Sequence, residues 1–373
     1  MSIDVLAFTD TYFPSINGVT YTIKSWKEEW SKRGNNMGVV YPSSSGYSPD
    51  SDEYPIRSIR FPFYEEFNLG VPYLSKDLPS VDVVHIHGQF TMGLAGLRYA
   101  HRHGVPVVAS HHMFGGHYAN YLSLTDGMEQ FIRKTTRKYE RAVYSNAETV
   151  LAPSRVTKSQ LIDEVGLETG VKILPNGIDL GFFRPIRKSD FLSRHSIPTD
   201  KPIIGYTGRQ GYEKDLFDII SAAEELDVTV VLGGNGPAHE DLRKRAEESD
   251  THIEFLGFID REELPELYSA LDLFVFPSPV ETQGLVALEA ICCGTPVIGV
   301  NAGALADTID HGRTGYLYHA GDIESFRRCI KKGINDKSNL RQNCINGREQ
   351  YGIDTAIDTL ESVYYDALHM FEP

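Results

Sequence analysis

The chain has 373 residues, 41% hydrophobic and 23% charged, a balance that excludes a disordered chain and suggests two domains, or three, at about 150 residues each. Its net charge of −15 sits in one part: residues 1–200 carry 21 acids and 21 bases, residues 201–373 carry 30 acids and 15 bases. So acidic a chain makes a poor nucleic-acid partner, while its neutral first part could still touch an anionic membrane if the bases cluster. Ile3–Phe8, Val81–Ile86, Val105–Ala109 and Thr149–Leu151 read as buried strands, with helical patterns such as Tyr21–Lys32 and Gly93–His103 between them. Pro42–Asp50, rich in Ser, Pro and Gly, reads as a mobile loop. The rhythm restarts at Pro202. Ile203–Tyr206, Val228–Leu232, Ile253–Phe255, Leu273–Phe276 and Pro296–Val300 are predicted strands, and Lys214–Leu226, Ala238–Glu248, Glu262–Ala270 and Gly284–Ile291 are the helices between them. Ile353–Met370 closes the series as a helix with Ile357, Leu360, Val363, Tyr364 and Leu368 on one stripe, able to pack back across the first domain.

Continuous apolar strands joined by helical crossovers mean parallel sheets covered on both faces. The expectation is an α/β chain of two doubly wound domains facing each other, residues 1–185 with the tail 353–373 and residues 186–352, with ligands bound outside the carboxyl ends of the strands in the cleft between them. No run of about 18 apolar residues is present to span a membrane. Met1-Ser2-Ile3-Asp4 leads into a strand with no secretory signal, and Cys292, Cys293, Cys329 and Cys344 show no C-x-x-C spacing. They read as reduced thiols of a cytoplasmic protein.

The most informative segment runs from Ser278 through Glu281, Gly284 and Glu289 to Gly294-Thr-Pro296. It begins at a strand end and becomes a helix near Gly284, whose N–H groups at Gly284, Leu285 and Val286 suit a diphosphate. Glu281 stays in the loop. Glu289, about a turn and a half into the helix, leans back toward its N-terminus and could reach another part of the same elongated ligand. Carboxylates accept pairs of hydroxyls, as on a sugar ring and a ribose; the alternative for Glu289 is a surface helix residue. Two carboxylates beside a diphosphate need cations. Gly205-Tyr-Thr-Gly208-Arg209-Gln-Gly-Tyr-Glu-Lys214 supplies a glycine turn at Gly208, a guanidinium that can fork two phosphate oxygens and a point charge. Together they would stabilise a departing diphosphate without a metal; the alternative is a solvated turn in which Glu213 pairs with a base. Asp10-Thr-Tyr-Phe-Pro14-Ser-Ile-Asn17-Gly18-Val19 is again strand, turn and helix, with Gly18 free of a side chain where a ligand could approach.

These segments resemble retaining glycosyltransferase family four, whose members adopt the GT-B fold of two facing Rossmann-like domains. The Glu281/Glu289 pair followed by Cys293-Gly294-Thr295-Pro296 carries the likeness most strongly. Pro175-Asn-Gly-Ile-Asp179, Leu232-Gly-Gly-Asn-Gly-Pro237 and Phe255-Leu-Gly257-Phe-Ile259 extend it over nearly the whole chain. The resemblance implies that Arg209 and Lys214 bind the donor diphosphate, that Glu281 holds the transferred sugar and Glu289 the ribose, and that the Gly257–Ile259 backbone contacts the base. It places His112, in Val107-Val-Ala-Ser-His111-His112, near the transferred sugar, with His111 where many members have an aromatic residue, Met113 where many have threonine and Gln283 where an aromatic is common. His112-Met-Phe-Gly-Gly-His117-Tyr118-Ala-Asn-Tyr121 is similar to diacylglycerol glucosyltransferases, which implies a lipid acceptor near Tyr118 and Tyr121.

His85-Ile-His87 shares one strand face and could chelate a metal, a competing signal with no acidic cluster beside it. Gly127–Tyr144 reads as a helix with Met128, Phe131, Ile132, Thr135, Tyr139 and Val143 on an apolar stripe and Arg133, Lys134, Arg137, Lys138 and Arg141 largely opposite. Such a helix either lies on an anionic membrane or packs into the core with a solvated polar face.

The expected activity is therefore retaining, metal-independent transfer of a hexose from a nucleotide-diphosphate sugar, a co-substrate rather than a cofactor, to an acceptor hydroxyl on a membrane lipid, a lipid-linked glycan or a soluble metabolite. The protein would be cytoplasmic or peripheral on the cytoplasmic membrane face. A GT-B-like epimerase or phosphorylase, a metal hydrolase built on His85, His87 and His112, and a non-catalytic binding protein remain alternatives. A nicotinamide dehydrogenase is disfavoured because Gly233-Gly234-Asn-Gly236 lacks the third glycine at the required spacing.

Overall fold

In the computed structural model the described residues are 2–60, 68–74, 77–114, 126–168, 170–187 and 190–371. The chain divides into two compact units, residues 1–177 with 353–373, and residues 178–352.

The first unit holds a seven-stranded sheet of β1 (Asp4–Phe8), β2 (Asn36–Pro42), β3 (Glu53–Ile56), β6 (Val83–Ile86), β7 (Val107–Ser110), β8 (Thr149–Ala152) and β9 (Val171–Ile173), in the order β3-β2-β1-β6-β7-β8-β9. Every pairing in it is parallel. β4 (Ser58–Arg60) and β5 (Asn68–Gly70) form a separate antiparallel pair. Side chains alternate along β1, so Leu6 and Phe8 enter one core while Val5 and Ala7 enter the other. The first core is covered by α2 (Thr91–His103) and α3 (Asp126–Tyr144), through Met92, Tyr99, Val143 and Tyr144. The second is covered by α1 (Gly18–Lys32), which Asn17 caps by accepting from the Thr20 N–H at 3.0 Å, and by the helix Ile353–Met370. Trp26 and Trp30 of α1 lie against Ile357, Leu360, Val363 and Tyr364 of that last helix.

The second unit holds a six-stranded sheet of β10 (Ile203–Thr207), β11 (Thr229–Gly233), β12 (His252–Gly257), β13 (Leu273–Phe276), β14 (Val297–Val300) and β15 (Gly315–Tyr318), in the order β12-β11-β10-β13-β14-β15. It too is parallel throughout. In each sheet the strand order reverses beside the unit's first strand, between β1 and β6 and between β10 and β13. The carboxyl ends of those strands border the crevice where doubly wound sheets take ligands.

The expected strands and helices are present; β2, β3, β4, β5, β9, β15 and a helix at Arg155–Asp163 stand beside them unannounced, and some expected bounds differ. The chain passes between units at Gly177/Ile178 rather than at residue 185, because Ile178 and Phe183 are buried in the second core and Ile178 bridges to Gly352. The helix expected from Lys214 starts at Phe217, after a 3-10 turn over Tyr212–Lys214 and a left-handed Asp215. A 25-residue helix, Ile323–Gly347, is not among the expected elements; it buries Phe326, Arg327, Ile330, Gly333, Leu340 and Cys344 along one seam.

Leu360 is fully buried in the core shared by α1 and the last helix. Leu360→Ala is expected to lower stability by about 2–5 kcal/mol, the usual loss for a buried leucine truncated in a close-packed core. Both tryptophans of the chain, Trp26 and Trp30, lie in that core, so intrinsic fluorescence in a urea titration reads the shift from the first unit itself.

Candidate active site

At the carboxyl edge of the second sheet, the turns after β10 and β11 press backbone on backbone. A Cβ on Gly234, whose φ is +100°, would run into the Gly208 carbonyl oxygen, and the Gln210 N–H donates to the Asn235 carbonyl at 2.8 Å. The Leu232–Pro237 glycines are thus explained by the close approach of two loops. The Gly234 N–H donates to Gly257 O at 2.6 Å, bringing the end of β12 alongside. There Ile259 is buried and Phe258 is 62% exposed.

The turn carries the expected cations. Tyr206 donates its hydroxyl to Arg209 O at 3.1 Å. The Arg209 guanidinium pairs with Glu213, and Lys214 Nζ lies 2.5 Å from Glu281 Oε1. These groups share one neighbourhood: burial pushes the Tyr206 phenol well up, the Glu281 and Glu213 carboxylates add to the rise, and Arg209 opposes it. The pairing of Glu213 with a base, foreseen as the alternative for this turn, is therefore present, but on partly buried groups that also surround Glu281.

Glu281 stands in the loop between β13 and the helix Leu285–Cys292. Segment 303–308 braces that loop: Ala304 N–H donates to Glu281 O at 3.0 Å and Thr308 Oγ1 to Gln283 O at 2.7 Å. Gly284 caps the helix in a left-handed conformation, φ +76°. Its carbonyl accepts from Ala287 and Leu288, so the N–H groups of Gly284, Leu285 and Val286 precede the intrahelical ladder. Glu289 is not a surface residue. It is 8% exposed, accepts from the Tyr268 hydroxyl at 2.8 Å and lies 3.9 Å from Arg261, whose guanidinium stacks over Phe182 and Phe183. Burial raises its carboxyl to about 7, against the opposing pull of Arg261 and Tyr268. Tyr268 and Arg261, which orient this carboxylate, escaped the sequence reading because neither belongs to the motif they serve.

Gly18 and His112 belong to the first unit. Gly18 opens α1, and His112 follows β7. His112 Nε2 lies 3.0 Å from His87 Nδ1, with the two rings nearly parallel. His85 engages Tyr364 Oη at 2.6 Å through Nδ1 and Ser110 Oγ at 2.9 Å through Nε2. Both nitrogens of His85 are thus committed to hydroxyls, and among the described residues no group of three or more His, Cys, Asp or Glu is placed to hold a metal ion. His111 packs against Phe114 and Tyr144, taking the place of the aromatic common there. Asp10, quoted in its motif but assigned nothing, proves buried. It accepts from the N–H groups of Phe90 and Met92 at 3.1 and 2.9 Å at the start of α2, and burial raises its carboxyl to about 6. Tyr118 and Tyr121 lie outside the described residues.

Helix α3 corrects the expected stripe. Val143 is buried and Ile132 and Tyr139 are half-buried, whereas Phe131 is 70% and Met128 43% exposed. At 100° per residue Phe131 lies about 20° from Lys138 and about 60° from Lys134, on the face away from buried Glu140 and Val143. Along the flank, Arg137 pairs with Glu164, and Arg141 Nη2 lies 2.9 Å from Glu168 Oε1. Arg133, Lys134, Arg137, Lys138 and Arg141 line a shallow groove of about 500 Å³.

Residues 16–182 match the family model described as Glycosyltransferase Family 4, and residues 188–351 match that described as Glycosyl transferases group 1. The chain is 30% identical to an alpha-monoglucosyldiacylglycerol synthase of Streptococcus pneumoniae, over 84% of this chain and 74% of that one. It is 28% identical to a GDP-mannose-dependent alpha-mannosyltransferase of Mycobacterium tuberculosis, over 86% and 85%. Sucrose-phosphate synthase from Thermosynechococcus elongatus shares the fold with a TM-score of 0.79 at 21% identity, covering 98% of this chain and 99% of that one. Two doubly wound parallel sheets, a glycine-bounded turn bearing two cations beside a braced acidic loop, and these likenesses lead to one assignment: the chain belongs to the group 1/family 4 glycosyltransferases of GT-B fold.

Proposed function

We propose that this glycosyltransferase moves a hexose, with retention at the anomeric carbon, from a nucleotide-diphosphate sugar to a hydroxyl of a membrane lipid or lipid-linked glycan. The pairing of Lys214 with Glu281 beside Arg209, at the point where the second sheet reverses its strand order, carries the reading. Arg209, Lys214 and the N–H groups of Gly284, Leu285 and Val286 hold the diphosphate, whose charge grows as the glycosidic bond breaks. Glu281 holds hydroxyls of the transferred sugar and Glu289 those of the ribose. The Gly257–Ile259 backbone meets the base, after the turn at Gly208, while Gly18 and His112 serve the sugar end. The acceptor hydroxyl attacks the face that the diphosphate leaves, and a diphosphate oxygen takes its proton. Two side-chain cations and backbone dipoles supply the countercharge that a divalent ion supplies in other transferases, so turnover is expected to survive EDTA.

The S. pneumoniae relative, by its name, makes a glycolipid, which supports a lipid acceptor. The exposed Phe131 and Met128 beside Lys134 and Lys138 support a peripheral place on an anionic cytoplasmic membrane face, through a helix that lies in the interface. Among the described residues no helix is long and apolar enough to cross the bilayer.

Three measurements test this reading. In calorimetry with UDP, GDP and ADP, one diphosphate is expected to bind. Arg209→Ala or Lys214→Ala is expected to weaken it at least tenfold while thermal unfolding moves by only a few degrees; binding that survives both substitutions removes these residues from the site. Cosedimentation with vesicles containing phosphatidylglycerol is expected to fall when Phe131→Ser is combined with Lys134→Gln and Lys138→Gln; retention at the original level rejects α3 as the contact. The third concerns Glu289. A folded-state value raised from 4.5 to about 7 means that the buried charge destabilises the fold progressively as pH rises through that window and fully above it. Glu289→Gln is therefore expected to be more stable than the parent at pH 8, by up to about 3 kcal/mol, to gain nothing at pH 4, and to bind the diphosphate more weakly at pH 8. A variant less stable than the parent at pH 8 contradicts the assignment.

A further inference from the structure

The turn after β10 is an unusual place for an anion, because its acids outnumber its bases. From Arg209 to Asp218 the chain sets Arg209 and Lys214 against Glu213, Asp215 and Asp218. Burial, Asp218 and Glu213, in that order, hold the Asp215 carboxyl above its ordinary range, as happens where carboxylates crowd together. Each cation is matched by a carboxylate: Arg209 Nη2 pairs with Glu213 Oε1 across the 3-10 turn, and Lys214 Nζ with Glu281 Oε1. Nη2 belongs to both edges through which a guanidinium can fork an anion, so a carboxylate on it competes with phosphate oxygens at either edge.

The backbone makes room for that carboxylate. The three heavy atoms nearest to a Cβ on Gly211 would be the Glu213 carboxyl carbon and its two oxygens, all too close to keep their places. Gly211 has φ −95°, a value open to any residue. Its bareness therefore suits the carboxyl that lies over it, not a strained turn.

We propose that Glu213 is a positioning residue that acts against binding: it holds Arg209 in an ion pair that a diphosphate must open, so donor and spent nucleoside diphosphate are both held less tightly than they would be with Arg209 unopposed. This rests on the reading of Arg209 as a ligand of the diphosphate. The displaced carboxylate stays within the turn, beside a ligand of its own sign. A transferase that uses a nucleotide sugar has to let the nucleoside diphosphate go after each transfer, and release limits many enzymes. Weakening the hold on both nucleotides alike speeds that step and leaves the bond-breaking step as it is.

The experiment is calorimetry on the full chain with UDP, GDP and ADP, joined to a stopped-flow chase of the one that binds. Glu213→Gln is expected to bind it about fivefold more tightly and to release it correspondingly more slowly, the upper range for an ion pair that is still partly exposed. Gly211→Ala keeps the charge but drives the carboxyl off Arg209, and is expected to tighten binding by about threefold. Asp215→Asn removes an acid of the same turn that lies off the Arg209 pair, and is expected to stay within about twofold of the parent. Should Glu213→Gln not fold by circular dichroism, Glu213→Ala takes its place. Unchanged or weaker binding in the folded Glu213 variant overturns the proposal, since the carboxylate then holds Arg209 ready for the ligand. Tightening that Gly211→Ala does not share, or that Asp215→Asn matches, overturns it too, by assigning the gain to the field of the turn and not to the contact. Absence of binding by the parent, or binding that Arg209→Ala leaves intact, rejects the reading of Arg209 itself. Binding that needs Arg209 and is not tightened by loss of Glu213 rejects this inference alone.

Discussion

Parallel strands deliver all their carboxyl ends to one edge of a sheet, and the loops leaving that edge compete for the same space. In the second unit the competition is settled by contact of bare backbone: the turn at Gly234 lies against Gly208 so closely that no side chain fits between them. Everything chemical at this edge depends on that approach. It fixes the path of the chain from β10 into the segment bearing Arg209 and Lys214, and through Gly257 it draws in the end of β12. The acidic loop after β13 is braced from its other side by segment 303–308, so cations and carboxylates meet on two separately held supports.

The charges at this edge are graded by depth. Arg209, Glu213, Lys214 and Glu281 are partly exposed and matched pairwise, an arrangement in which water still screens each group and exchange of one partner for a ligand oxygen is inexpensive. Glu289 lies deeper, with the Tyr268 hydroxyl in close contact and Arg261 at 3.9 Å. An acid so placed is poorly compensated, which is the condition under which hydroxyl donors from a ligand have the most to add. In the first unit Asp10 is spent on N–H groups at the start of α2, and three stacked histidines give up their charge to burial.

Much of the fold was legible because buried parallel strands are short apolar runs and their crossovers show a 3.6-residue period. The doubly wound character, the last helix and its stripe, and the acidic and basic motifs at strand ends all followed from that. The helix Ile323–Gly347 escaped the sequence reading although Phe326, Ile330, Gly333, Leu340 and Cys344 recur at helical spacing, because many polar and charged residues stand between these few buried positions. The boundary near residue 177 was misplaced because Ile178 and Phe183 look like linker residues until their burial is known. On α3 the period was right and the face wrong: an exposed Phe131 cannot be told from a buried one by spacing alone. Tyr268, Arg261 and the His87–His112 pair are contacts made across the fold, and no local pattern encodes them.

The helix Ile353–Met370 has a consequence for how the chain comes to be folded. Its Tyr364 reaches His85, and its Leu360 and Val363 fill the core beneath Trp26 and Trp30, although 175 intervening residues, Ile178–Gly352, form the other unit. On the ribosome, the unit made second can therefore close first. The one made first waits with an uncovered sheet face until its closing segment clears the exit tunnel, an interval in which a chaperone, or a neighbouring nascent chain, has access to the surface that Tyr364 will cover.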